Sequence, residues 1–269
     1  MNRKKNIASS ENKRDRKYFM PKSLRLLFGG ILSLNVIWWL LAVVFNNKAL
    51  PNPLDVYTIF PSTLSQGMFD HTVASLRRII LGVLIALALG IGGGLLTGLS
   101  KKANRLLNPL LYLSYPVPKL ALLPVVMIIF GIGETTKVLM IVLIIVFQLV
   151  ISIRDAIKNI DKQNYYVLST LGASNLQQIK HVVLPAILPE VFSALRISVG
   201  IATSVLFVTE TFGTDKGLGF FIVDAWMRID YFTMYAGIVM LSIIGSLLFM
   251  LIDIMDAVFC EWSKLRSGN

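Results

Sequence analysis

Arg78, Lys119 and Glu210 are ionisable side chains set in or at the edge of long apolar stretches of a 269-residue chain. An ionisable group in hydrocarbon costs at least about 2.5 kcal/mol on insertion scales, so each is read as paired or functional. Arg78, with its neighbour Arg77, opens one apolar run, where it can draw an anion toward a pore mouth or simply reach lipid headgroups. Lys119 stands among Pro116, Pro118 and Pro124, and broken helix geometry there is acceptable only if buried in protein or lining a cavity. Glu134 and Glu210 are its candidate partners. Glu210 closes a later run, as one half of a structural ion pair, the favoured reading, or as part of a gate. Arg78, Lys119 and Glu210 are therefore the translocation-path candidates.

Bond-making chemistry has no such constellation. His71 and His181 fall in different segments and are each read as a surface hydrogen-bonding residue. The single cysteine, Cys260, rules out an internal disulfide, and two histidines with one cysteine leave too few ligands for a zinc or iron centre. No G-x-x-x-x-G-K-[ST] phosphate loop occurs, so the chain does not cradle ATP in the usual way. No catalytic residue, metal or cofactor is assigned. The net charge of +11 sits in short segments flanking apolar runs rather than on one soluble patch, which argues for membrane orientation and against nucleic acid.

The elements that must position these residues are membrane helices. Hydrophobic residues make up 55% of the chain and the mean hydropathy is +0.70, well above a soluble domain. Apolar runs at 24–45, 73–99, 106–130, 138–153, 191–212 and 235–259 each approach the ~20 residues that cross a bilayer. The sequence predicts an all-α, polytopic bundle of about six transmembrane helices. Residues 1–23 form a basic, polar tail, 24–45 a first, retained anchor, and 71–260 a core with a loop at 160–189. Basic residues crowd the stretch before the first span (Arg3, Lys4, Lys5, Lys13, Arg14, Arg16, Lys17, Lys22, Arg25) and the second and fourth loops (Lys101, Lys102, Arg105; Arg154, Lys158, Lys162, Lys180), whereas the other loops hold isolated cations such as Lys48, Lys137, Lys216 and Arg228. The positive-inside rule then puts both termini and the fourth loop in the cytoplasm.

That fourth loop carries its own local code. An apolar turn (Val167, Leu168, Leu171) stops at Gly172, and Ser174 can cap a second helix with Gln177 reaching back, until Leu184-Pro185 breaks it. A helix, a glycine corner and a helix between two spans make a rigid knob able to pass force to a soluble partner. Elsewhere, Gly90, Gly94 and Gly98 recur four apart in the second span, a helix-packing face rather than a nucleotide loop. Met and Phe clusters in the last span read as lipid-facing or packing surface. Glu190 suits the first turn of the fifth helix. Residues 214–233, mixing aromatics with Asp215, Lys216, Asp224, Arg228 and Asp230, suggest a re-entrant or interfacial helix.

In order along the chain stand His71 to Arg78 (HTVASLRR), Pro116-Val-Pro118-Lys119-Leu-Ala121 with Pro124, Phe130-Gly131-Ile-Gly133, Leu171-Gly172-Ala173-Ser174, Leu184-Pro185, Glu210-Thr-Phe-Gly213 and Gly217-Leu218-Gly219. This ordered set resembles the nitrate, sulfonate and taurine group of permeases of ATP-binding-cassette importers, a group that includes permeases for vitamin precursors, and the 160–189 loop resembles that family's EAA loop. The resemblance implies a homodimer in a bacterial inner membrane, two cytoplasmic ATPase subunits that bind the ATP, and an extracytoplasmic substrate-binding protein. It implies ATPase coupling through Tyr165, Tyr166, Leu171, Gly172, Ala173, Ser174, Leu184 and Pro185. Tyr166-Val167-Leu168 stand where the family has Glu-Ala-Ala, so aromatic packing replaces the glutamate's ion pair, or the tyrosines sit at headgroup level. Arg77, Arg78 and Lys119 tilt the substrate toward a small anion such as nitrate, a sulfonate or taurine. A pyrimidine- or riboflavin-like vitamin precursor is the alternative, with a membrane-embedded enzyme and a passive channel behind it.

Overall fold

The computed structural model describes residues 22–170 and 172–262, all of it helix, turn or irregular chain. Residues 1–21 of the tail, Leu171 and residues 263–269 lie outside the described residues. Two compact units divide near Ile59. In the first, α1 (Lys22–Phe45) turns back at Asn46 toward α2 (Pro53–Thr63). Trp38 Nε1 donates to the Pro51 carbonyl at 3.1 Å, the Tyr57 hydroxyl donates to Asn35 Oδ1, and the Trp38 and Tyr57 rings meet edge to face at 6.3 Å.

The second unit is built on α3 (Phe69–Leu99), α6 (Glu134–Lys158), α9 (Leu184–Glu210) and α11 (Tyr231–Phe259), with α4 (Lys101–Leu113), α5 (Leu123–Phe130), α7 (Lys162–Thr170), α8 (Asn175–Gln178) and α10 (Leu218–Met227) between them. Among the described residues, four helical stretches are long and apolar enough to cross a membrane alone: Pro53–Leu99, Glu134–Lys158, Asn175–Glu210 and Tyr231–Phe259. The run counted as the third span, 106–130, is broken at the prolines around Lys119. α4 ends at Leu113, residues 114–118 are not helical, and a 3-10 turn (Lys119–Leu122) leads into α5. Pro116 and Pro118 remove amide donors and push the residues before them out of the helical region, which accounts for the break. The apolar helical piece Lys119–Phe130 is then about 18 Å long, roughly half a membrane crossing.

α3 and α6 run parallel and are in contact from the Arg78–Glu134 pair to Gly98 against Ile157. Gly82, Ala86, Gly90, Gly94 and Gly98 form a ridge without bulk, four residues apart, and Ile141, Ile145, Leu149, Ile153 and Ile157 form a ridge of branched side chains at the same spacing. A Cβ on Gly82 would lie 2.7 Å from Ile141 Cγ2, on Gly90 2.6 Å from Leu149 Cβ, on Gly94 2.5 Å from Ile153 Cγ2, and on Gly98 2.7 Å from Ile157 Cδ1. The predicted packing face is therefore occupied, with its partner now named.

α9 packs on α6 and, in the opposite direction, carries the chain back to the Glu134 end of the bundle. The expected break at Leu184-Pro185 is absent. α8, a π turn (Ile179–Val183) and α9 form one helical stretch, because the register slips there: the Leu184 amide donates to the Ile179 carbonyl, and Pro185, which has no amide to place, follows in the first turn of α9. Glu190 accordingly falls in the second turn of α9, beyond where a helix start favours a carboxylate. Arg196 on α9 fastens α11, donating to Asp253 Oδ1 at 2.5 Å and Asp256 Oδ2 at 2.7 Å, so the last span, besides its Met and Phe clusters, carries two paired carboxylates on this side.

The glycine ridge makes a sharp test of this packing. Gly94→Leu should cost about 1–3 kcal/mol by overpacking against Ile153. Gly92→Leu, where a Cβ meets nothing within 4 Å, should stay within about 0.5 kcal/mol of wild type. Thermal unfolding of the purified proteins in lipid nanodiscs would compare them; equal losses would mean that the two helices are not in this register.

Candidate functional site

The candidate residues divide among three places. At the Glu134 end of the bundle, Arg78 on α3, Glu134 and Lys137 on α6 and Glu210 on α9 converge. Arg78 is 2% exposed, Glu210 0% and Lys137 3%. Arg78 Nη1 donates to Glu210 Oε1 at 2.6 Å and to the Lys216 carbonyl at 2.8 Å, its Nε donates to Glu134 Oε2 at 2.8 Å, and its Nη2 is paired with Glu134 Oε1. Glu210 also accepts from the Ser75 hydroxyl at 2.8 Å and the Gly219 amide at 2.8 Å. Lys137 Nζ donates to the Gly133 carbonyl at 3.3 Å. Two cations and two carboxylates balance, and the buried guanidinium and Glu210 carboxylate are held by several donors and acceptors rather than by one contact, as buried charge requires.

This cluster also anchors the segment between α9 and α10. Gly217 has φ +125, and any side chain on it would run into the Glu210 carboxylate, so glycine is needed twice over. The Leu218 amide donates to Ser75 Oγ at 2.8 Å and the Gly217 amide to His71 Nδ1 at 3.1 Å. The His71 ring stacks on Phe220 with centroids 5.9 Å apart. His71, expected as a surface residue, is thus packed against α10, and Lys137, expected as a loop cation, is buried. The expected helix in 214–233 is α10, whose Leu218, Ile222 and Ala225 are buried. Ser75 is invisible from sequence as an ion-cluster member, since only the juxtaposition of α3 with α9 and α10 supplies its partners.

Lys119 joins neither carboxylate named for it, because both serve Arg78. It opens the 3-10 turn with its ammonium 5.3 Å from the centroid of the Phe147 ring on α6. The three translocation-path candidates therefore occupy two separate places.

At the opposite end lies the loop. α7 stops at a glycine corner: Gly172 has φ +72, its amide donates to the Ser169 carbonyl at 3.0 Å, and the Ala173 amide donates to the Leu168 carbonyl at 3.1 Å, the paired bonds of a Schellman stop. Ser174 then caps α8 in the predicted capping box, its amide donating to Gln177 Oε1 at 2.7 Å. Gln178 Nε2 reaches back to the Ala173 carbonyl at 3.4 Å. Tyr165 is half-buried, and burial pushes its phenol up. Tyr166 is 66% exposed and Leu176 75% exposed, two large apolar surfaces on a polar loop. His181 is exposed and Leu184 lies partly open beside it.

Removing one partner of the buried cluster should be far more costly than removing the exposed one. Arg78→Met, which strands the Glu210 carboxylate, should destabilise by about 3–5 kcal/mol. Glu134→Gln, where the carboxylate is 56% exposed, should cost less than about 1 kcal/mol. Unfolding of the two variants in nanodiscs checks the difference; comparable losses would contradict a cluster centred on Arg78 and Glu210.

Residues 79–260 match the family described as the binding-protein-dependent transport system inner membrane component. The chain is 34% identical over 237 residues to the taurine transport system permease protein TauC of Escherichia coli (strain K12), covering 85% of this chain and 86% of that one. It is 31% identical over 226 residues to the aliphatic sulfonates transport permease protein SsuC of Bacillus subtilis (strain 168), named there as putative, covering 84% and 82%. Among solved structures it is similar to a bacterial ABC transporter involved in the import of the acidic polysaccharide alginate, with a TM-score of 0.62, 16% identity, and 87% of this chain and 96% of that one covered, a likeness of fold. The parallel α3–α6 pair, the capped loop at 172–178 and the multi-pass helical architecture thus belong to a membrane protein of the binding-protein-dependent transport system inner membrane component family, the permease subunits of ATP-binding-cassette importers.

Proposed function

We propose that this permease imports a small anion, of the sulfonate or taurine kind, as a homodimer in a bacterial inner membrane with both termini in the cytoplasm, and that it hydrolyses nothing itself. ATP is bound by two separate ATPase subunits, and an extracytoplasmic binding protein delivers the substrate to the end that carries Arg78 and α10. The reading is carried by the build of the 162–210 segment. A doubly capped corner presents Tyr166 and Leu176 outward, and the π turn joins α8 to α9 in one continuous helical stretch that ends in the buried ion cluster. Such a segment behaves as a lever: a push on the loop is delivered to Glu210 at the far end. Tyr165, Tyr166, Leu171, Gly172, Ala173, Ser174, Leu184 and Pro185 are the coupling residues in this proposal. Exposed Tyr166 takes the place of the family's glutamate by aromatic packing into the ATPase.

In this scheme Arg78 and Glu210 act on the path from its wall. They fasten α3, α6 and α9 to one another at the substrate-facing end and set the position of the 214–218 segment. The anion assignment rests on the names of the relatives at about a third identity.

Reconstitution with the cognate ATPase and binding protein in liposomes tests the proposal. Taurine uptake should require ATP. Leu176→Glu should weaken ATPase association about tenfold or more, as loss of an exposed apolar anchor does. Gly172→Val should add roughly 1–2 kcal/mol of backbone strain at the corner and uncouple ATP hydrolysis from uptake. Full coupling in both variants would overturn the docking role, and uptake of a formylated pyrimidine in place of any sulfonate would overturn the anion reading.

A further inference from the structure

Lys119 is a cation where a cation is costly. Phe147, over which its ammonium lies, is near the middle of α6, about 20 Å from Glu134 and about 17 Å from Lys158 along the helix axis. Among the described residues no carboxylate forms an ion pair with it. The ring face recovers only part of what hydration would supply. A charge kept at this depth in a membrane protein marks a wet or ligand-bearing place.

Three further observations converge on the same spot. First, the break in the third apolar run, residues 114–118, lies directly before Lys119, and Tyr115, Pro116, Val117 and Pro118 are all exposed. Non-helical backbone at that depth is stable only against protein or a water-filled path. Second, Leu120, the next residue, borders an open cleft of about 470 Å³ whose other wall is α9, with Ile197, Gly200, Ser204 and Val208. It also borders a second cleft of about 400 Å³ formed with Pro124, Met127 and Phe212. No residue lining either cleft carries a charge, Ser204 supplies a hydroxyl, and Lys119 immediately precedes Leu120, which borders both. Third, the helical run restarts at Lys119, so the residue is held at the first position of the 3-10 turn that leads into α5.

We propose that Lys119 is the mid-membrane anion contact of the translocation path, taking the oxyanion group of the passing substrate while the Gly200–Ser204 face of α9 takes its remainder. Its four-carbon stem lets the ammonium exchange the Phe147 ring for the anion and return, a contact firm enough to select charge and loose enough to release it. The inference rests on the anion-importer reading above.

The test is taurine uptake by the reconstituted complex carrying Lys119→Arg, Lys119→Gln or Lys119→Met, with co-purification of the ATPase reporting assembly. The Met variant keeps a straight stem over Phe147 and serves where Gln prevents assembly. Loss of a charge-assisted contact should lower uptake about tenfold or more in the Gln and Met variants, while Lys119→Arg stays within about threefold of wild type. Uptake by the Gln and Met variants within about twofold of wild type would overturn the assignment and leave the importer reading standing. Equal loss in the Arg variant, or failure of all three to assemble, would make Lys119 a packing residue and overturn it likewise. Wild-type complex that moves a formylated pyrimidine but no sulfonate would overturn both.

Discussion

Where α3 (Phe69–Leu99) lacks side chains, at Gly82, Gly90, Gly94 and Gly98, the branched residues of α6 (Glu134–Lys158) seat directly against its backbone. Lipid tails are as apolar as isoleucine, so helices in a membrane gain little from burying apolar surface and depend on close van der Waals fit instead. The four-residue spacing of both ridges extends that fit over about four and a half turns, which fixes the register of α3 on α6. Register, in turn, decides which side chains meet at the ends. With Gly82 against Ile141, Arg78 stands one turn earlier on α3, and Lys137 and Glu134 stand one and two turns earlier on α6. The ion cluster is therefore a consequence of the glycine ridge, and α9 and the 214–218 segment are attached to the bundle through that cluster.

The two ends of the core are built to opposite purposes. At the Arg78 end, polar groups are buried and reciprocally satisfied, which makes separation of α3, α6 and α9 costly. At the loop end, the caps at Gly172 and Ser174 satisfy the backbone and leave Tyr166 and Leu176 facing out. Capped backbone with exposed apolar side chains is what the proposed docking role requires. α9 spans the distance between them as one piece, because the slip at Ile179–Val183 absorbs Pro185 without a bend of the hydrogen-bond ladder into loop.

Features governed by neighbours in sequence were legible from it. The glycine periodicity named a packing face, and the Ser174–Gln177 capping box and Gly172 corner formed as their spacing predicts. Features governed by register between distant segments were not. The ion pair favoured for Glu210 forms, but the choice of Arg78, 132 positions away, and the entry of Ser75, Glu134 and Lys137 into the cluster follow only once α3 and α6 are parallel. Arg196 with Asp253 and Asp256 escaped for the same reason. Two prolines before Lys119 carried the signal of the broken span, but hydropathy, which averages over a window, continues smoothly across 106–130. Pro185 misled in the other direction, since a π turn can hide a missing amide that an α-helix cannot.

The central claim is that this core transmits force as a single body. Pulsed electron resonance on the reconstituted complex, with spin labels introduced through Leu176→Cys at the loop and Lys216→Cys at the ion-cluster end, measures it directly. The account predicts that on ATP binding the distance between the two labels within one copy stays unchanged, while the distance between the Leu176 positions of two copies shortens. A within-copy distance that changes as much as the one between copies would contradict it.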